Sequence, residues 1–167
     1  MKIKHIVISK DSKYYSGKMR GVPLNENAES LLVNEVECHA GKGLVGDRYY
    51  DIKQDFKGQV TFISFELHLE LEKAFGTQID IKDYRRNIFV TGSNPLDFVG
   101  KRFQVGDVLF EGTEDCTPCK FMDQYAAEGA YEWMKNHNSG GLRAKVITDG
   151  TLKVGDELNG ELKEVNN

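Results

Sequence analysis

The sequence predicts a mainly β, α+β fold: a barrel-like single domain of short strands that carries two helices. Apolar and polar residues alternate over several short runs, the period of strands with one face buried. Glycine occurs 17 times and proline 3 times, a ratio that favours tight turns over rigid linkers. The chain has 167 residues, 40% of them hydrophobic, which suffices for one core and leaves little for a second. Residues 1–167 are therefore read as one domain, with no shift of composition to mark a boundary.

Taken in order, the first strand is expected over 3–9, where Lys2-Ile3-Lys4-His5-Ile6 alternates and carries no secretory signal. Residues 12–27, rich in Lys, Ser, Gly and Asn, read as the least ordered linker. A second strand is expected over 31–38 and a third over 59–64. Ser64 then serves as the N-cap of a helix with Leu67, Leu71 and Phe75 on one face, stopped by Gly76. Further strands are expected over 87–91 and 102–110. A second helix is expected from about Cys119 to Asn136, with Gly129 marking a kink or break in its middle. Strands over 142–147 and 156–162 complete the set. Val105-Gly106-Asp107-Val108 and Val154-Gly155-Asp156-Glu157 each read as a turn feeding a strand, with a third Val-Gly-Asp at 45–47.

Composition excludes several functions. Lys plus Arg is 22 against 26 for Asp plus Glu, a formal charge of −4, so a chain-wide polycation for nucleic acid is excluded while a local basic pocket for a small anion is not. No apolar run approaches the roughly 18 residues of a membrane-spanning helix. Three cysteines argue against a disulfide framework and for a reducing, cytoplasmic setting.

Chemistry is concentrated in four segments. Cys116-Thr117-Pro118-Cys119 places Cys119 at the expected start of the second helix, where free backbone N–H groups and the helix dipole favour the thiolate a nucleophile or soft-metal ligand requires. The same spacing fits a zinc site, a dithiol redox pair or an inert buried pair. Zinc needs a second pair, and only the adjacent Cys38 and His39 are on offer; neighbours on a strand point to opposite faces. The segment from His39 to Arg48 holds three glycines with Lys42 and Arg48: either a loop with N–H groups turned toward an anion, or an ordinary hairpin loop with solvated charges. It lacks the order of a Walker A loop. Arg85-Arg86-Asn87 precedes a strand, so one arginine can point inward, toward a phosphate, a carboxylate or a plain salt bridge. Ser139-Gly140-Gly141-Leu142-Arg143 permits close backbone approach by a ligand or by another strand, with Arg143 beside it.

In combination these segments resemble the MOSC domain, the family named for the C-terminal part of molybdenum cofactor sulfurases. The landmarks are HAGKGLVGDR (39–48), QVTFIS followed by Glu66, RNIFVTG (86–92), VGKRFQVGDV (99–108), CTPC (116–119), GGLRA (140–144) and VGDE (154–157). They fall in family order over about 33–158, and no pyridoxal-phosphate desulfurase domain accompanies them.

The resemblance implies a pyruvate-kinase-type β-barrel that binds the molybdenum cofactor, a pterin dithiolene with a phosphate tail. It assigns the protein ligand of the metal, and the catalytic residue, to Cys119. His39, Lys42, Asp47, Arg48, Arg86, Asn87, Lys120 and Arg143 are the candidates for contacting the cofactor. The implied activity is reduction of a small N-hydroxylated compound, with electrons from a separate donor protein because the chain holds no second redox motif. The alternative is a sulfur carrier that receives a persulfide on Cys119 from a desulfurase. Neither nucleic acid nor membrane is expected as a partner.

Overall fold

Alternation at period two builds two cores on opposite faces of the same strands. The computed structural model describes residues 1–12, 25 and 27–164. In β1 (Lys2–Ser9), Ile6 and Ile8 face the barrel interior while Val7 faces the helices. β5 (Val60–Ser64) divides Val60 and Phe62 from Ile63 in the same way, and β6 (Ile88–Thr91) divides Ile88 and Val90 from Phe89. These strands are buried on both faces, so their alternation is between two apolar environments. The interior holds a group of edge-packed rings, with Phe62 5.4 Å from Phe103 and 5.2 Å from Phe110 between centroids.

The remaining strands are β2 (Ser30–Val33), β3 (Glu35–His39), β4 (Gly43–Leu44), β7 (Lys101–Val105), β8 (Val108–Asp115), β9 (Leu142–Val146), β10 (Gly150–Lys153) and β11 (Leu158–Glu164). One sheet has eight strands in the order β11-β7-β8-β9-β5-β6-β1-β2; β5 and β6 are parallel and every other neighbouring pair is antiparallel. A bridge between Lys2 and Glu157, with Ile3 N–H donating to Asp156 O at 2.8 Å, draws the start of β1 to the entry of β11 and curls the sheet into a half-barrel. The second sheet, β10-β3-β4, contributes Val36, Cys38, Leu44 and Leu152 to the same interior. A parallel pair needs a crossover, here supplied by α1 (Phe65–Phe75). Ser64 caps it by accepting from Leu67 N–H, and Gly76 at φ 63° ends it, as the sequence predicts.

Four expectations change. The run 31–38 is two strands that part at Asn34 and pair in different sheets: β2 with β1, β3 with β10. The run 102–110 is a hairpin, β7 to β8, because Gly106 takes φ 55° and pairs Val105 with Val108 across a two-residue turn. The second helix is two: α2 (Met122–Tyr125), a single turn, and α3 (Ala130–Asn136), so there are three α-helices among the described residues. Gly129 at φ 88° forbids a continuous helix, and Asp123 Oδ1 accepts from Tyr131 N–H at 2.7 Å to cap α3 from the preceding turn. β10 was not expected at all, its four residues carrying a single buried apolar side chain, Leu152. The linker read at 12–27 lies, apart from Ser12, Asn25 and Asn27, outside the described residues. Among the described residues, no helix is long and apolar enough to cross a membrane.

Candidate functional site

Several strand ends converge where β8 runs out into Cys116, β6 is entered from Arg85 and Arg86, and β9 begins with Leu142 and then Arg143, which pairs with Thr61 of β5. They enclose a cleft of about 890 Å³. Arg48, Arg85, Arg86, Lys120 and Arg143 line it together with the thiols of Cys116 and Cys119. Tyr49 and Phe56, whose rings lie 5.5 Å apart, form an apolar patch, and Tyr131 and Phe121 also line the cleft. Asp123 and Glu132 supply carboxylates on the helical side.

The cysteine segment is extended and pinned. Cys116 N–H donates to Gly141 O at 2.7 Å, and a Cβ at Gly140 would lie 1.7 Å from Cys116 O. The paired glycines thus serve a chain-to-chain approach, which answers the question the sequence left open. Arg86 completes the pin. Only 7% exposed, it donates through Nε to Gly140 O at 2.7 Å, through Nη2 to Thr117 O at 2.9 Å, and through Nη1 to Tyr84 O and Arg85 O. All three guanidinium nitrogens are bonded to carbonyls. Burial pulls its pKa below the usual guanidinium value, the cost of a desolvated cation met by peptide dipoles.

Cys119 does not start a helix. It precedes Met122, whose N–H donates to Cys119 O at 3.0 Å, and α2 is one turn with no side-chain cap. A single turn sums too few peptide dipoles to act on the thiol, so the expected dipole effect is absent. Cys119 is instead half-buried with Arg85 Nη1 donating to its Sγ at 3.8 Å. Cys116 is buried and interacts with Arg143, which is paired with Glu114 at 2.8 Å. Desolvation works against the Arg143 charge, but Glu114 and Cys116 outweigh it and raise its pKa. Lys120 is exposed, 5.9 Å from the centre of the Tyr131 ring.

Asp47 and Asn87 stand behind the cleft wall. The Asp47 carboxylate accepts from Ser9 N–H, Asn87 Nδ2 and Tyr49 N–H, and lies 3.7 Å from Arg48 Nη1. Asn87 Oδ1 accepts from Thr61 N–H and Oγ1, and Nδ2 also donates to Val7 O. Arg48, held over the Tyr49 ring at 4.6 Å, donates through Nη2 to Arg85 O, and its buried Nε meets no protein acceptor. The cleft is therefore short of an acceptor at one point on its wall.

His39 and Lys42 fall outside the cleft. His39 bonds Tyr50 Oη at 2.6 Å and Glu37 Oε1 at 2.8 Å, and Lys42 pairs with Asp51 at 3.3 Å on the surface. The N–H groups of their loop are used within the fold: Ala40 to Asp149, Gly41 to Val146 O, Val45 to Glu37 O and Arg48 to Ser9 O. The hairpin-loop alternative describes this segment. Arg85, Thr61, Tyr49, Phe56 and Tyr131 line the cleft but were not singled out as site residues. The double arginine before a strand was the signal for Arg85, since adjacent side chains diverge and only one of the two could be buried.

Among the described residues, no group of three or more His, Cys, Asp or Glu is placed to hold a metal ion. A closed zinc site, which needs four such ligands, does not fit. A soft metal that brings sulfur ligands of its own fits a cleft offering one half-exposed thiol and a surround of cations.

No curated protein matches the sequence. Among solved structures, YiiM from Geobacillus stearothermophilus is similar at TM-score 0.68 and 14% identity, covering 98% of this chain and 75% of the other. YiiM from Escherichia coli is similar at TM-score 0.63 and 18% identity, covering 98% and 71%. A crystal structure of a hypothetical protein is similar at TM-score 0.61 and 18% identity; it covers 77% of this chain, which spans only 62% of that one. Likeness at these identities establishes the fold. The family model of the MOSC domain matches residues 32–159, nearly the span of the sequence landmarks, and on that match the chain belongs to the MOSC domain family.

Proposed function

We propose that the cleft binds the molybdenum cofactor and that the loaded protein reduces small N-hydroxylated compounds with electrons from a separate donor protein. Proteins of the family are associated with this cofactor and with molybdenum-dependent reduction or sulfur transfer. The observation that carries the reading is the gathering of one accessible thiol with Arg48, Arg85, Lys120 and Arg143 in a cleft of about 890 Å³, without enough protein ligands for a metal to be held alone.

In this reading Cys119 gives the metal its protein sulfur. Arg48, with its buried unmet Nε, is the first choice for the phosphate of the pterin, supported by Lys120 and Arg143. Arg86 spends four of its five N–H donors on backbone carbonyls and holds the cysteine segment in place. Asp47 and Asn87 act from behind, fixing the Arg48 and Thr61 wall. Tyr49, Phe56 and Tyr131 supply apolar faces for planar groups and displace water from the thiol side of the cleft. When bound, the cofactor supplies a two-electron redox centre for removal of the N–OH oxygen.

Expression in a host that makes the cofactor, followed by metal and pterin analysis, tests the proposal. Wild type is expected to retain molybdenum and pterin, and Cys119→Ser to lose the metal. Reduction of a model amidoxime by the wild type with a viologen reductant is expected, and none by Cys119→Ser. Purified protein devoid of molybdenum and pterin, with none taken up on reconstitution, overturns it. Retention of added sulfur on Cys119 after incubation with a desulfurase, without any cofactor, would establish the sulfur carrier in its place.

A further inference from the structure

Arg85 is the C-cap of a 3₁₀ turn (Ile81–Tyr84) and takes φ 60°, ψ 37°, the left-handed region. Short polar residues adopt that region more readily than arginine, and the other non-glycine positions with positive φ among the described residues are Asp51, Asp55 and Asn138. Glycine would occupy the position without cost. The strained backbone has two structural consequences. It turns the carbonyl of Arg85 toward the neighbouring guanidinium groups, where it accepts from Arg48 Nη2 and Arg86 Nη1, each at 3.4 Å. It also sends the two adjacent side chains apart: Arg86 into the wall, with all its nitrogens on carbonyls, and Arg85 into the cleft, with Nη1 3.8 Å from Cys119 Sγ. An observed backbone outlier at a cleft, ending in a contact with the reactive group, is where strain is kept for function.

We propose that Arg85 is the positioning residue for Cys119, holding the sulfur toward the cleft and drawing anionic reactants onto it. Among the described residues, Arg85 is the cation that donates to that sulfur. The inference deepens the cofactor reading, because an anion-directed thiol suits a ligand carrying negative charge, but it concerns the chain alone and stands or falls without the cofactor.

The test uses the full chain produced without cofactor, and compares the alkylation rates of Cys119 by iodoacetate and by iodoacetamide, site-resolved by mass spectrometry. Both reagents react with the same thiolate, so their ratio is independent of how much thiolate is present and reports only the field an anion meets. In wild type the iodoacetate-to-iodoacetamide ratio is expected to be about tenfold above that of a small free thiol, and to fall as salt is raised. Arg85→Gly is expected to lower the ratio severalfold while the melting temperature stays level or rises, since the backbone strain is relieved. Arg85→Lys keeps the charge and is expected to hold most of the ratio. Lys73→Gln, which removes an exposed charge of α1 that does not line the cleft, is expected to leave it unchanged.

A ratio in Arg85→Gly equal to wild type overturns the proposal, as does an equal loss in Lys73→Gln. A fall in both Arg85 variants with a lowered melting temperature also overturns it, by making the role structural. The cofactor reading is untouched by any of these outcomes and fails only on the metal and pterin analysis.

Discussion

Asn87 Nδ2 donates to Asp47 Oδ2 at 2.9 Å, between side chains 40 residues apart in sequence, both buried. This bond joins the start of β6 to the loop after β4, and through Ser9 N–H to the end of β1. Asp47→Ala leaves Ser9 N–H, Tyr49 N–H and one of the two Asn87 amide hydrogens without their acceptor. A loss of about 3 kcal/mol in urea unfolding is expected, since each bond to a charged group is worth roughly 1.5–3 kcal/mol. The double variant with Asn87→Ala should lose less than the sum of the singles. Strict additivity would mean that the two side chains act separately.

Gly140→Ala should be among the most damaging small substitutions in the chain. The added Cβ meets Cys116 O at 1.7 Å, a distance no side-chain rotation can relieve. The backbones must separate, straining Cys116 N–H to Gly141 O and Arg86 Nε to Gly140 O. Thermal denaturation should show a loss of several kcal/mol, on the scale of severe overpacking. Gly76→Ala, where no heavy atom lies within 4 Å of the new Cβ, should cost only about 1 kcal/mol for its left-handed φ. Equal losses at the two positions would refute the steric account.

The three thiols should react in a fixed order. Cys38 is fully buried inside the barrel, and burial pushes its pKa up to about 12. It should resist iodoacetamide until the protein unfolds. Cys119, half-exposed in the cleft, should be labelled first, and buried Cys116 more slowly. Labelling of Cys38 at the rate of Cys119 under native conditions would show that the barrel opens far more readily than its packing implies.

Stability should fall as the solution is acidified below about pH 6.5. His68, on the buried face of α1, is 5% exposed, its Nδ1 3.0 Å from Tyr84 Oη. Desolvation lowers its pKa from 6.5, aided by His5 and opposed by Glu72. The unfolded chain therefore binds a proton in the window between 6.5 and the lowered native value, and the native chain does not. Unfolding free energy must drop as pH falls through that window, by up to about 1.4 kcal/mol per unit, and level off below it. His68→Gln should flatten part of the slope, with His5, also lowered chiefly by burial, leaving the rest. A slope unchanged by the substitution would exclude His68 as its source.

Local chemistry alone settled much of this protein. Ser64 and Gly76 mark the ends of α1 because a cap and a left-handed stop act within one turn. The strand character of β1, β5 and β6 is likewise visible in the sequence, as are the thiol pair, the arginine pair and the glycine pair. Where the sequence misled, a single local pattern served two distant partners. Residues 31–38 read as one strand because nothing nearby distinguishes the half that pairs with β1 from the half that pairs with β10.

Only the tertiary structure decided which member of each pair does what. Arg85 and Arg86 are chemically the same; a left-handed backbone at Arg85 buries one guanidinium among carbonyls and brings the other to Cys119. Asp47 and Asn87 have the composition of ligand-binding residues and spend their hydrogen bonds on each other and on the strands behind the cleft. His39 and Lys42 share a motif with Arg48 and end outside the cleft that Arg48 lines. Sequence specifies which functional groups are present within a few residues of one another. Which of them keep a donor or a thiol free for a ligand depends on the acceptors that distant segments bring, and those are fixed only when the sheet curls and the cleft closes around them.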